Sequence, residues 1–106
     1  IDERNAFLVD SMLKDVVRFG TATGALVLKR PDISGKTGTT NDSIDAWFAG
    51  YQATLVGIAW IGYDQPKNLG NKETGGGLAL PIWIGYMQKA LKGVPIEERV
   101  VPSGLW

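Results

Sequence analysis

Apolar residues recur at helical spacing from Asn5 to Phe19, where Leu8, Val9, Met12, Leu13, Val16 and Val17 form one stripe and Gly20 supplies a natural stop. The pattern predicts an amphipathic helix over 5–19. A small-residue loop follows at 21–24, and the short apolar run from Ala25 to Leu28 has a pattern that does not decide its state. Pro31 disfavours helix at Arg30, and beyond it the period changes. Strands are predicted over 33–39, 45–52 and 54–63. The third is the clearest, because Leu55, Val56, Ile58, Trp60 and Ile61 concentrate β-branched and aromatic side chains. Turn formers at Thr40-Asn41-Asp42-Ser43 separate the first two strands, and such short connections favour an antiparallel meander.

Beyond Tyr63 the stretch 64–77 reads as loop, with Pro66, Gly70 and the triplet Gly75-Gly76-Gly77. Pro81 suits the first turn of a helix, and Ile82, Trp83, Tyr86, Met87, Ala90 and Leu91 keep helical spacing up to Gly93. Trp83 and Tyr86 are both expected to cover the sheet. The remaining 93–106 segment has no period and is expected to be a tail that packs loosely or against something outside the chain. The fold class is therefore α+β: a three-stranded antiparallel sheet flanked by an N-terminal and a C-terminal helix.

With 106 residues and 44% apolar composition the chain holds one domain at most, 1–106. Eleven basic and eleven acidic residues cancel, and no basic run stands out, so a nucleic-acid partner is not expected. The sequence has neither cysteine nor histidine, which removes disulfides, thiol chemistry and the usual zinc and haem ligands; no metal or cofactor is expected. No apolar run approaches the roughly 18 residues of a spanning helix. The first residue is Ile1 rather than methionine, and the chain is expected to be a piece of something longer.

Chemistry concentrates in Ser34-Gly35-Lys36-Thr37-Gly38-Thr39-Thr40-Asn41-Asp42. Glycines let a ligand approach the backbone, the threonines offer hydroxyl donors, and Lys36 adds a fixed charge, which together equip the stretch to hold an anion. A polar strand end running into a turn is the plainest reading. A phosphate-binding loop is a second, but Arg30 stands where its first glycine is needed, and the lysine leads into strand and turn rather than into a helix. A third is a serine-type acyl-transfer site, in which a Lys-Thr-Gly strand binds the substrate carboxylate and helps to activate the nucleophile. A fourth is a non-catalytic binding or structural fragment.

The run Lys36-Thr37-Gly38-Thr39-Thr40-Asn41-Asp42, followed by Asp45-Ala46-Trp47-Phe48 and Gly50-Tyr51, resembles the C-terminal part of the transpeptidase domain of class A (bifunctional) penicillin-binding proteins. The strand from Val56 to Tyr63 with Asp64, the run Glu73-Thr74-Gly75-Gly76, and Ala79-Leu80-Pro81-Ile82-Trp83 resemble it in the same order, so nearly the whole chain is covered. Serine β-lactamases, which share the fold, have the Lys-Thr-Gly triad but usually not the Thr-Asn-Asp and Asp-Ala-Trp-Phe continuation. The resemblance implies an enzyme that cross-links peptidoglycan through D-Ala-D-Ala stem peptides and is acylated by β-lactams. It places the protein at the periplasmic or extracytoplasmic face of a bacterial inner membrane, anchored by a segment not in this chain. It implies that Lys36 sits beside the nucleophile, that Thr37 and Thr39 bind the carboxylate with Gly38 leaving room, and that the Thr39 backbone N–H is an oxyanion-hole donor.

The family's Ser-x-x-Lys and Ser-x-Asn motifs are not in their expected places. Ser11-Met12-Leu13-Lys14 fits Ser-x-x-Lys literally, but about 100° per residue places Ser11 and Lys14 away from Leu8, Met12 and Val16, so both are expected to face solvent. No nucleophile is therefore expected in this chain, and the isolated chain is expected to be inactive. Since the resemblance implies neighbours beyond both outer strands, self-association through open sheet edges is also expected.

Overall fold

Asp2 starts the first helix: its carboxylate accepts from the Arg4 N–H at 2.8 Å, satisfying one of the donors that a helix N-terminus leaves free. A computed structural model of the chain describes residues 1–70 and 74–105; Glu73, in one of the motif runs, and Trp106 lie outside them. Helix α1 spans Glu3–Arg18 and ends as Phe19 and Gly20 donate back to Asp15. The undecided run falls within a 3₁₀ segment, Thr23–Leu28. Strands β1 (Ser34–Thr39), β2 (Ala46–Gln52) and β3 (Leu55–Ile61) form the expected antiparallel meander in the order β1-β2-β3. The glycine triplet is not all loop: Gly75–Ala79 makes a π turn capped by Thr74, and it runs directly into helix α2, Leu80–Ala90, with Pro81 in its first turn.

Register assigns every strand residue to a face. Thr37, Phe48 and Ala59 stand side by side, as do Gly35, Gly50 and Gly57, and this face is covered by α2. Trp83 fills the space that Gly50 and Gly57 leave: a Cβ built on Gly50 would come within 2.6 Å of its ring, and its indole N–H donates to Gly57 O at 3.1 Å. Phe48 meets the same ring edge-on at 4.9 Å between centroids. Val17, Ile33, Leu80, Met87 and Leu91 complete the core.

Four expectations need correction. Of the stripe expected on α1, Val17 is buried and Leu13 and Val16 are half-buried, but Leu8, Val9 and Met12 are exposed, and the other buried positions of the helix are Asp10 and Lys14. Lys14, expected in solvent, is buried against Asp10, and Ser11 is half-buried. The reason is that the sheet offers this helix polar partners, and a carboxylate with several donors is stable where an apolar side chain would strand them. On α2 Leu80, Trp83 and Met87 are buried and Ile84 packs partly against the core, with buried Leu91 just past the helix end; of the two aromatic residues expected over the sheet, Trp83 covers it and Tyr86 is exposed. The segment after Gly93 is stitched down at its start rather than loose: Arg30 donates to Val94 O and Pro95 O, and the Glu97 N–H donates to Asp32.

Candidate active site

Strand β1 is an edge strand, and its start is fixed by two buried carboxylates. Asp10 accepts from Ser34 Oγ at 2.9 Å and from the Tyr51 hydroxyl at 2.7 Å, and it pairs with Lys14 and, at 3.4 Å, with Arg99. Asp32 accepts from the Arg30 fork at 2.9 and 3.0 Å, from Gln52 Nε2 at 3.0 Å and from the Glu97 N–H. Burial pushes both carboxyls upward, but for Asp10 the bonds from Lys14, Tyr51 and Ser34, and for Asp32 those from Arg30, Glu97 and Gln52, outweigh it and hold each below the usual carboxylate range. Ser34 and Ile33 are thereby immobilised just before the lysine.

From Lys36 onward the strand opens to solvent. Thr40 N–H donates to Asp45 O at 3.1 Å in continuation of the β1–β2 register. Because an antiparallel ladder repeats every second residue, Ser34, Lys36 and Gly38 turn their backbone groups toward β2, and Gly35, Thr37 and Thr39 turn theirs toward the edge away from β2. The Lys36 side chain leaves the opposite face from the two threonines, yet its Nζ folds over to donate to Thr37 O at 3.1 Å. Lysine charge and the outward backbone groups of Thr37 and Thr39 thus meet at one edge, although the Lys36 and threonine side chains do not share a face.

The threonine hydroxyls are held on the other side. Thr37 Oγ1 lies 2.7 Å from Thr21 Oγ1, and Thr39 Oγ1 accepts from the Gly75 N–H at 3.0 Å. Thr39 is nonetheless exposed and Thr37 half-buried. A Cβ on Gly38 would meet only Trp47 Cβ, at an ordinary 3.5 Å, so packing within the chain does not require glycine there. A Cβ on Gly75 would overlap the Trp47 carbonyl oxygen and lie 2.8 Å from Gly38 O, so glycine is required at that position. After Thr40 the chain reverses through Asp42 and Ser43, both in the left-handed region at φ 60° and 51°.

Four contributors escaped the pattern: Thr21, Asp10, Asp32 and Gly75. Thr21 sits in the predicted small-residue loop, Asp10 lies between the apolar positions of the predicted helix, and Asp32 stands just ahead of the predicted strand. Gly75 alone carried a signal, the glycine triplet and the run Glu73-Thr74-Gly75-Gly76, although neither gave it a role at the site. Among the described residues there is no cluster of His, Cys, Asp or Glu suited to a metal, and no helix is long and apolar enough to cross a membrane.

No protein-family model matches the chain. It is 53% identical over 105 residues to Penicillin-binding protein 1A of Pseudomonas aeruginosa and 50% identical over 105 residues to Penicillin-binding protein 1A of Neisseria lactamica. Each alignment takes in 99% of this chain but 13% of the relative, so the chain spans about one eighth of the curated relatives' length. The crystal structure of Penicillin-Binding Protein 1A from Haemophilus influenzae superposes with a TM-score of 0.90 at 38% identity, covering 97% of this chain and 17% of that one. By these similarities the chain belongs to the class A penicillin-binding proteins, of which it represents one segment of the fold.

Proposed function

We propose that this chain supplies the Lys-Thr-Gly-Thr wall of a serine acyl-transfer site that cross-links peptidoglycan through D-Ala-D-Ala stem peptides, and that β-lactams acylate the same site. The observation that carries the reading is the open edge of β1, where the Lys36 ammonium and the backbone groups of Thr37 and Thr39 converge. An extended stem peptide pairs with such an edge as an added strand, so that the neighbour expected beyond β1 is the substrate rather than a further strand of the protein. Its terminal carboxylate is matched by the Thr37 and Thr39 hydroxyls, and the Thr39 N–H is aimed where an oxyanion would develop. Lys36 adds charge beside the nucleophile, which belongs to polypeptide outside this chain. Gly38, free of any internal packing demand, keeps the strand surface low for the substrate. The intact protein acts at the extracytoplasmic face of the bacterial inner membrane, held by an anchor outside this segment.

The decisive measurement is acylation by benzylpenicillin in the intact transpeptidase. Lys36→Ala removes the cation and is expected to slow acylation by about 10²-fold or more with the fold retained; an unchanged rate in a folded variant would refute the assignment. A second reading, that the chain alone is a non-catalytic fragment, is favoured by Lys14, whose ammonium is bonded to Asp10 and donates no help to Ser11. Incubated with penicillin, the isolated chain is expected to take no covalent adduct in mass spectrometry, and an adduct abolished by Ser11→Ala would overturn that reading.

A further inference from the structure

A carboxylate has only acceptor oxygens, so any threonine that binds one must spend its single O–H on it. What holds that O–H outward is a donor placed behind the hydroxyl oxygen. Thr39 has one: the Gly75 N–H occupies a lone pair of Thr39 Oγ1 at 3.0 Å and leaves the hydroxyl hydrogen free to point elsewhere. Thr37 has a counterpart in Thr21, whose Oγ1 lies at 2.7 Å. Either hydroxyl of that pair is able to donate, but only one direction, Thr21 to Thr37, releases the Thr37 proton toward a carboxylate.

The two partners, Thr21 and Gly75, belong to one packed unit. A Cβ on Gly76 would approach Thr21 O to 2.8 Å and Thr37 Cγ2 to 3.8 Å, so the loop after α1 and the π turn close together behind β1. Gly75 is fixed by the Trp47 carbonyl and Gly38 O on one side and by Thr39 on the other. Thr21 itself is exposed, so its hydroxyl is not there to satisfy a buried group.

We infer that Thr21 is a positioning residue for substrate recognition: it donates to Thr37 and turns the Thr37 O–H toward the substrate carboxylate, as Gly75 does for Thr39. The inference rests on the carboxylate-binding role proposed above for Thr37 and Thr39. The resulting chain, Thr21 O–H to Thr37 O–H to carboxylate, is cooperative, since each bond polarises the next. Thr21 makes no bond to the substrate.

The test uses the intact transpeptidase and two probes, benzylpenicillin and its methyl ester, which lacks the free carboxylate. Thr21→Val is expected to slow acylation by the free acid about three- to tenfold, the worth of one orienting hydrogen bond, and to leave the ester rate and the Tm unchanged. Thr21→Ser is expected to restore the acid rate, because only the hydroxyl is needed. Thr37→Val serves as control, with an acid-selective loss of at least about tenfold expected for a bond to a charged group. If Thr37→Val is acid-selective and Thr21→Val is silent, or slows acid and ester equally, the inference about Thr21 is wrong while the carboxylate reading stands. If Thr37→Val shows no acid selectivity, the carboxylate reading and the inference fall together.

Discussion

The two faces of the sheet are built from the same three strands to opposite ends. On the covered face Phe48, Ala59 and the glycines at 50 and 57 are shaped to receive Trp83, and Gly35 leaves room for the Phe48 ring. On the other face Lys36, Trp47, Ala49, Val56, Ile58 and Trp60 are exposed, with the two tryptophan rings 6.1 Å apart and Trp60 donating to Asp45 at 2.9 Å. The covered face shows glycine where a large ring must fit, and the open face shows large apolar groups that nothing among the described residues covers. The difference teaches that small residues inside a strand pattern mark the packed side, contrary to the intuition that bulk marks burial.

The comparison breaks most severely at Trp83. Trp83→Ala empties the covered face and is expected to cost about 3–5 kcal/mol, enough to abolish cooperative unfolding of a chain this small; a urea titration retaining its midpoint would show that the ring is not the keystone of the core. Next come the carboxylates that seal the start of β1, Asp10 under the open face and Asp32 under the covered one. Because their folded pKa values lie below the unfolded ones, their stabilisation is present above the ordinary carboxylate pKa of about 4 and is lost as pH falls through the folded values. Asp32→Asn, which leaves Arg30 without its charge partner, is expected to destabilise by about 2–4 kcal/mol at neutral pH and to flatten the acid limb of the stability profile. A variant as acid-sensitive as the parent chain would remove Asp32 from that account.

The smallest effect is expected on the open face. Ile58→Thr changes a side chain that is 65% exposed and is expected to shift stability by less than about 0.5 kcal/mol. Its consequence should appear in association instead: sedimentation of the isolated chain at high concentration is expected to show self-association that weakens in the variant. A monomeric chain before substitution would mean that the exposed apolar face and the open strand edges do not drive pairing.

Sequence by itself determined the element order, the antiparallel meander, and the motif run from Lys36 to Asp42 with its continuation to Tyr51. These are local properties: strand propensity, turn chemistry and short connections act between near neighbours in the chain. Tertiary structure decided which side of each helix is inside. The apolar stripe of α1 was legible, but its use was not, because Ser34 and Tyr51, 24 and 41 residues from Asp10, make a polar stripe the better match to the sheet. The glycines at 50 and 57 made sense only once Trp83 was known to lie over them. The motif showed the same division. Its residue types were written in the chain, whereas the register that turns the backbone of Thr37 and Thr39 to the open edge, and the Thr21 hydroxyl and Gly75 N–H behind their side chains, exist only after distant segments have packed. Side-chain chemistry is a property of the residue, but the direction in which a hydroxyl or an N–H points is a property of its partners.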